Sequence, residues 1–169
     1  MRMDSLILES PIGRLKICAE NGRITRLCLL QEATEPAPAL NNMQHSALLN
    51  EACRQLDEYF RGRRRAFDLP IGGAGTAFQQ RVWEQLRRIP YGETRSYADI
   101  AAAIGNPRAV RAVGQANNKN PILILTPCHR VIYKSGDLAG FGCGTEVKRY
   151  LLELEHRNIC GEGRIAERI

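Results

Sequence analysis

The chain has 169 residues, of which 44% are hydrophobic and 25% charged, and its formal net charge is +6 at pH 7. This length suffices for one ordinary domain or two small ones with a buried core. No apolar run approaches the length that crosses a membrane, and residues 1–10 lack the pattern of a secretory signal. We therefore expect a cytoplasmic protein that is not bound to membranes.

Six cysteines are scattered along the chain, and none of them forms a C-x-x-C pair. Their spacing relative to the three histidines is not that of a zinc site. The pattern predicts reduced thiols, mostly packed as small hydrophobic side chains, and it predicts neither a bound metal nor a cofactor.

The positive charge is concentrated in the second half of the chain. Residues 1–72 contain 10 basic and 9 acidic side chains, whereas residues 73–169 contain 14 and 9. A basic excess within one segment is what a polyanionic partner requires, although basic solvated surfaces are common. The charge distribution is compatible with nucleic-acid binding but does not by itself establish it.

The first half predicts a small α/β domain. Three short apolar-rich runs predict strands at residues 5–10, 13–20 and 25–30, and Asn21-Gly22 is typical of a tight hairpin turn. We expect a polar loop over 31–45, a helix over 46–60 and a further strand at 67–71. The glycines at 71–76 then predict a linker. We therefore expect an N-terminal α/β domain over 1–72, with an antiparallel sheet covered by one helix.

The second half, residues 73–169, predicts a mainly helical domain. Thr76 and Gln79 fit a capping box that opens a helix ending before Pro90. Ser96 begins another helix, closed by Gly105, and Asn106 can cap the next one with Pro107 at its first position. Two short helices joined by so tight a turn indicate a helix-turn-helix in a winged-helix-like domain, with an ordinary helical hairpin as the alternative.

Arginines and small residues distinguish the second helix of this pair. It carries Arg108 and Arg111 but no acidic residue, and alanines and Gly114 recur along it. Small residues let a helix approach a partner closely, and arginines suit phosphates and bases. This composition favours the DNA-binding interpretation.

Cys128 and His129 are neighbours within residues 122–132, ILILTPCHRVI, which predict a buried strand interrupted at Pro127. A thiol attacks as a thiolate, so a nucleophilic cysteine needs a base or a positive neighbour. Adjacent side chains on a strand point to opposite faces, so a bridging water between the two side chains is a fair alternative to direct contact.

Glu155 is the candidate third member of this group. In the last helix, Val147, Leu151 and Leu154 define an apolar face, and helical geometry places Glu155 beside it. A carboxylate in that position is costly unless something pairs with it, and a histidine that needs orientation is one such partner. The alternative is a surface glutamate, and periodicity alone does not decide between the two.

Four stretches together resemble the O6-alkylguanine-DNA alkyltransferases, the methylated-DNA–protein-cysteine methyltransferases. The stretches are RAVGQANNKNP at 111–121, PCHRVI at 127–132, PYGETRSYADIAAAIGNPRAVRAVG at 90–114 and KRYLLELE at 148–155. The resemblance is dense from about residue 76 to 156 and much looser over 1–72. It implies repair of DNA by direct reversal, in which an alkyl group on O6 of guanine, or on O4 of thymine, is transferred irreversibly to a cysteine.

The resemblance implies a role for each matching residue. Cys128 would be the nucleophile, His129 its base through water, Glu155 the group that orients His129, and Asn120 a support of the active-site turn. For DNA binding it implies four residues: Tyr97, Arg111, Asn106 and Lys134. For the base pocket it implies four as well: Tyr97, Val131, Gly142 and Cys143.

The implied partner is double-stranded DNA, bound through the minor groove by a monomer that extrudes the damaged nucleotide. Poor base readout in that groove suits a protein that must inspect every sequence. A thioether is not a leaving group, so the reaction should consume one protein molecule per alkyl group.

Three departures from the family pattern stand out. Cys143, in the loop GFGCG at 140–144, lies at a variable position that lines the pocket, and Thr126 replaces an apolar residue, a change expected to be minor. The zinc site of some relatives is not expected, because Cys18, Cys28, Cys53 and His45 do not match its ligands.

Three rival functions remain. A non-catalytic sensor of alkyl lesions would replace the reactive cysteine, which is present here. A Cys–His hydrolase would turn over repeatedly, and a fused transcriptional regulator would need a further domain.

Overall fold

The computed structural model describes residues 3–31, 46–138 and 142–166, with side chains described as far as Gly161. The chain forms two compact units. The first comprises Met1–Ala74 with Pro121–Leu123, and the second comprises Gly75–Asn120 with Ile124–Ile169. The division predicted between residues 72 and 73 stays a prediction. Within the described part of the chain, no helix is long and apolar enough to cross a membrane.

The first unit contains the predicted antiparallel sheet. Strands β1 (Asp4–Ser10), β2 (Gly13–Glu20) and β3 (Arg23–Leu29) pair in the order β1-β2-β3. Asn21 and Gly22 have φ of 51° and 73°, the left-handed pair that a two-residue hairpin turn requires. The Asn-Gly signal therefore fixed the β2–β3 register, which shifts once, between Cys18 and Ala19.

One helix covers this sheet, as predicted. Helix α1 (Ala47–Phe60) starts at Ser46, whose hydroxyl accepts a hydrogen bond from Leu49 N–H, and it buries Leu56 and Tyr59. Leu15 and Ile17 on β2 are also fully buried. The 31–45 loop lies outside the described residues except for Gln31.

The strand predicted at 67–71 is wrong. Only Ile71 makes a bridge, to Ile24 on β3. The buried Gln55 of α1 occupies the polar groups of Asp68: its side-chain oxygen accepts from Asp68 N–H at 2.9 Å, and its amide donates to Asp68 C=O at 3.2 Å. The Gln55 side chain, 13 residues away in sequence, therefore takes the backbone hydrogen bonds that a neighbouring strand would have made with Asp68.

The second unit contains four helices and a two-stranded parallel sheet among its described residues. The helices are α2 (Ala77–Arg87), α3 (Tyr97–Ala103), α4 (Val110–Asn118) and α5 (Thr145–Ala166). Strands β4 (Arg95–Ser96) and β5 (Val131–Ile132) pair in parallel. Trp83 of α2 donates its indole N–H to Ala116 C=O of α4 at 2.8 Å, which ties these two helices together.

The predicted capping box of Thr76 with Gln79 is present, and the helix predicted to begin at Ser96 is opened by a second capping box, Ser96 with Asp99. Helices α3 and α4 form the predicted helix-turn-helix, because they follow each other closely and pack together.

The predicted cap at Asn106 is wrong. Helix α4 begins three residues after Pro107, with Ala109 at its N-cap and no side-chain cap. Asn106 instead closes α3: its N–H donates to Ala101 C=O, while Gly105, at φ 77°, donates to Ala102 C=O. These two hydrogen bonds form a Schellman motif with glycine in the left-handed conformation. Asn106 therefore lies before the N-cap position of α4, which Ala109 occupies.

The Ser96 cap makes a testable contribution to stability, because it supports the helix that begins with Tyr97. Ser96→Ala should lower the free energy of unfolding of the second unit by about 1 kcal/mol. Fluorescence of Trp83, the single tryptophan, measures this during urea unfolding. Ser96→Thr retains the oxygen acceptor and should stay close to the original, so equal losses in both variants would contradict a capping role.

Candidate active site

Cys128 lies in a turn, so the strand predicted over 122–132 is wrong except at Val131–Ile132. Cys128–Arg130 form one turn of 3-10 helix, and Ile124 has φ 69°, a rare conformation for a β-branched residue. The apolar side chains of this segment are buried although its backbone follows an irregular path. A continuous apolar run is compatible with a buried strand and with a buried irregular segment alike. Such conformations cluster at functional sites, where packing maintains them.

The residues before the nucleophile form an inverse γ-turn. Pro127 has φ −80° and ψ 67°, and Cys128 N–H donates to Thr126 C=O at 2.8 Å. Asn120 donates its amide N–H groups both to the same carbonyl, at 2.8 Å, and to Cys128 Sγ, at 3.1 Å. The predicted support of the turn by Asn120 therefore has a geometric basis.

The Cys128 thiol is protonated at rest. Its side chain is buried, and burial raises its pKa to about 11, although the Asn120 hydrogen bond and the Lys148 charge act in the opposite direction. A buried thiol of this kind requires a base before it can attack.

His129 is buried and oriented by Glu155. Its Nε2 lies 2.7 Å from Glu155 Oε1, and both side chains have 0% exposure. Of the two interpretations that periodicity left open for Glu155, the histidine partner is therefore the one observed. Successive residues of a 3-10 helix diverge by about 120°, so Cys128 and His129 do not point the same way.

Arg130 is a second partner of Glu155 that sequence reasoning missed. Its Nε donates to Glu155 Oε2 at 2.9 Å and its second terminal nitrogen to Oε1 at 3.0 Å, while its remaining nitrogen donates to Ile89 C=O at 2.7 Å. Gly92 N–H also donates to Oε2, at 3.0 Å. A guanidinium in an otherwise apolar run was the available signal, because such a cation is buried only with an anion.

Glu155 is consequently ionised. Burial by itself would raise the pKa of this carboxyl, but the bonds from His129 and Arg130 outweigh it and lower the pKa to about 2. Four hydrogen bonds to one carboxylate stabilise its charged form.

His129 is neutral at neutral pH. Burial lowers its pKa more strongly than Glu155 raises it, and the charges of Arg130 and Lys148 lower it further. Since Nε2 faces an ionised carboxylate, we assign the proton to Nε2. Nδ1 is then a buried acceptor, and it has no hydrogen-bond partner among the described residues.

Lys148 is another buried group that sequence reasoning missed. Its Nζ donates to Val131 C=O at 2.5 Å, lies 5.8 Å from the centroid of the Tyr97 ring, and has its pKa lowered to about 8 by burial. Lys148 lies three residues before Leu151 and seven before Glu155 on α5. The periodicity that singled out Glu155 therefore also predicts a core-facing Lys148.

Tyr97 and the buried Asn117 connect the helix-turn-helix to the nucleophile. Burial raises the pKa of Tyr97 to about 12, so its hydroxyl remains a donor. Asn117 on α4 donates to Cys128 C=O at 3.4 Å, and its Oδ1 has no partner among the described residues. The motif RAVG-x-AN contains Asn117, but its inward direction could not be read from sequence.

A cavity of about 300 Å³ opens between α3, α4 and the residue after β5. It brings together Tyr97 and Arg111, two of the predicted DNA-binding residues, and its lining also includes Tyr133. Asn106 and Lys134 are exposed and do not line this cavity.

The predicted pocket residues differ in burial. Val131 is fully buried and its carbonyl accepts from Lys148, whereas Gly142 is exposed and Cys143 is half-buried. A side chain at 142 would approach Asn118 C=O to 3.4 Å, and the charge of a Cys143 thiolate raises the pKa of Cys128. Residues 140 and 141 of the GFGCG loop lie outside the described residues.

No cluster of three or more His, Cys, Asp or Glu side chains that could hold a metal ion occurs in the described part of the chain.

Comparisons with known proteins agree with this geometry. Residues 77–157 match the family model for the DNA binding domain of 6-O-methylguanine DNA methyltransferase, and residues 5–72 match the model for its ribonuclease-like domain. The chain is 54% identical, over 87% of its length and 92% of the relative's, to the constitutive methylated-DNA–protein-cysteine methyltransferase of Bacillus subtilis. It is 44% identical to a protein of that name from Methanosarcina barkeri, over 90% of this chain and 97% of the other.

Solved structures show the same fold. The crystal structure of the Mycobacterium tuberculosis O6-methylguanine methyltransferase has a TM-score of 0.81 at 43% identity, covering 93% of this chain and 94% of the other. The M. tuberculosis protein called OGT, in complex with DNA, has a TM-score of 0.78 at 45% identity, covering 90% and 92%.

A helix-turn-helix unit with a buried Cys, His and Glu defines a DNA-binding protein with a reactive thiol. The chain belongs to the 6-O-methylguanine DNA methyltransferase family.

The neutral, buried His129 makes stability depend on pH. Because its folded-state pKa lies below the unfolded value of 6.5, the unfolded chain binds more protons, and stability falls as pH drops below about 6.5. The slope should approach, and not exceed, about 1.4 kcal/mol per pH unit. Glu155 affects stability in a separate pH range, because its contribution to the free energy of unfolding is lost as pH falls from 4.5 towards 2.

Urea unfolding followed by Trp83 fluorescence between about pH 7 and pH 5 tests this slope. His129→Asn should flatten it. His156→Asn removes an exposed histidine from α5 and is the matched control. A slope that persists in His129→Asn would contradict a neutral buried His129.

Proposed function

We propose that this chain repairs double-stranded DNA by transferring the alkyl group from O6 of guanine to Sγ of Cys128. The observation that carries the proposal is the buried thiol next in sequence to a neutral histidine, whose Nε2 lies 2.7 Å from Glu155 Oε1 and whose Nδ1 accepts no hydrogen bond from the described residues. The names of the relatives described above support the substrate class. Transfer to O4-alkylthymine belongs to the same chemistry.

The reaction balances with the groups present. One water relays the Cys128 proton to His129 Nδ1, and the thiolate attacks the alkyl carbon. A carbon–sulfur bond forms as the carbon–O6 bond breaks, and the electron pair passes into the guanine ring system. The guanine anion then takes up one proton at N1, and His129 returns to solvent the proton that it received from Cys128, so the protons balance. The Tyr97 hydroxyl, whose pKa is raised by burial, keeps its own proton and donates a hydrogen bond to the departing base. The product is a thioether and an unmodified guanine.

The supporting residues act on charge. Asn120 donates to Sγ, which favours the thiolate as it forms. Glu155 stays ionised through Arg130, so it stabilises the imidazolium that forms when His129 accepts the proton. Since the thioether cannot leave, each protein molecule reacts once.

DNA binding is assigned to the helix-turn-helix. Helix α4 presents small residues and Arg111, which fits a minor-groove approach by a monomer, and Arg111 fills the space left by the extruded nucleotide. Asn106 and Lys134, both exposed, contact the phosphate backbone of the DNA. Val131, Gly142 and Cys143 complete the base pocket. We also propose a cytoplasmic location.

Mass spectrometry with a duplex containing one O6-methylguanine tests the transfer. We expect one methyl group on the Cys128 peptide, saturating at one per molecule, and none in Cys128→Ala. Cys160→Ala, at an exposed thiol on α5, should react like the original chain. Tight lesion binding without an adduct would instead identify a non-catalytic sensor, and repeated turnover would identify a hydrolase.

The assignment of Arg111 to nucleotide extrusion is tested by comparing two substrates, one that requires extrusion before methyl transfer and one that does not. Arg111→Ala should slow transfer from duplex DNA by about tenfold or more, because extrusion costs a few kcal/mol, yet leave the reaction with the free base O6-methylguanine unchanged. Single-turnover rates on both substrates measure this.

Arg108→Ala is the charge-matched control, since Arg108 is also exposed and lies three residues earlier. Equal slowing by both variants on duplex DNA would mean that Arg111 contributes only general charge.

A further inference from the structure

We propose that Arg87 and Thr126 form a positioning pair that holds the nucleophile's turn, so that Asn120 stays within reach of Cys128. The pair touches neither substrate nor the reacting atoms, and it acts through Asn120. This inference rests on the transfer reaction proposed above and adds two residues to its machinery.

Thr126 is tied down at both ends. Its side chain is 1% exposed, and its Oγ1 accepts a hydrogen bond from the Arg87 guanidinium at 3.3 Å. Its carbonyl accepts two more, from Cys128 N–H and from Asn120 Nδ2, both at 2.8 Å. Movement of Thr126 therefore moves the acceptor that both Cys128 and Asn120 use.

Asn120 is the link from this residue to the thiol. The same Nδ2 atom donates to Thr126 C=O and, at 3.1 Å, to Cys128 Sγ. An amide shared between two acceptors keeps its position only while both stay in place. The hydrogen bond to sulfur thus depends on where Thr126 is held.

Arg87 provides an anchor from a separate element. It is the last residue of α2, and it is the basic residue in that helix's last turn. Arg87 as a whole is exposed, but its guanidinium is partly desolvated, and that burial lowers its pKa. The buried Thr126 hydroxyl would be costly without a partner, so its position depends on Arg87. The apolar residue expected at position 126 would offer no such anchor.

The test compares Thr126→Val, Arg87→Met and the double variant in two assays. One is the single-turnover rate of methyl transfer from O6-methylguanine duplex DNA. The other is the rate at which iodoacetamide alkylates Cys128 as a function of pH, which needs no DNA. The other titratable groups near the thiol are unchanged in all variants: Lys148, His129, Cys143 and Tyr97.

Each single variant should slow methyl transfer by about 3- to 10-fold, the factor that one net hydrogen bond supplies. The double variant should be no slower than the slower single variant, because one link is broken in each case. At each pH, Cys128 should react more slowly with iodoacetamide than in the original chain. Thr126→Ser keeps the hydroxyl and should restore both rates.

Arg88→Met is the matched control. It removes one positive charge from the same helix end, where Arg88 pairs with Glu84 at 2.8 Å and does not reach Thr126. Its transfer rate should equal that of the original chain.

Several outcomes would overturn the pair: unchanged rates in the single variants, additive losses in the double variant, or Thr126→Ser as slow as Thr126→Val. Equal slowing in Arg88→Met would do the same. Failure of the transfer function itself looks different. The original chain would accept no methyl group, while the iodoacetamide rates would still separate the Arg87 and Thr126 variants from Arg88→Met.

Discussion

The buried carboxylate of Glu155 is the interaction on which the active site depends. It receives hydrogen bonds from His129, from two nitrogens of Arg130 and from Gly92 N–H, and neither its own side chain nor that of His129 is exposed to solvent. A buried anion is tolerated only with such partners, and they join α5, the nucleophile's turn and the segment after α2. Because Arg130 neutralises the carboxylate, His129 can remain neutral beside it. The ion pair between Glu155 and Arg130 thus contributes to the packing of the unit and also keeps His129 neutral and able to accept a proton.

The titration of the site suits a protein that reacts once. Burial raises the pKa of Cys128 to about 11 while lowering that of His129. The resting pair is therefore thiol and neutral imidazole, in contrast to the ion pair typical of cysteine proteases. A thiol kept protonated and enclosed is a weak target for stray electrophiles, and proton transfer is needed only when a substrate carbon is in place. The hydrogen bond from Asn120 then helps to stabilise the thiolate as it forms.

Helix α4 has two faces with different tasks. Its outer face carries Arg111 at the rim of the cavity, where DNA is proposed to bind. Its inner face buries Asn117, which reaches the backbone of Cys128. Contact with DNA and the position of the nucleophile are therefore carried by the same nine-residue helix. The backbone of this short helix is anchored to α2 by the hydrogen bond from Trp83.

Features that depend on a few neighbouring residues could be predicted from the amino-acid sequence alone. The Asn21-Gly22 hairpin and the capping boxes at Thr76 and Ser96 need only a turn or three residues, so local chemistry decided them. The motif around Cys128 singled out the candidate nucleophile, and the periodicity of α5 put Glu155 beside the core. The remaining features depend on contacts between residues far apart in the chain. The pairing of Glu155 with His129 and Arg130 spans about 25 residues, and the hold of Gln55 on Asp68 spans 13. The apolar run before Cys128 has no periodicity that distinguishes a strand from a buried turn. Hydrogen bonds between distant elements carry no local signal, and these bonds determine how the thiol is held.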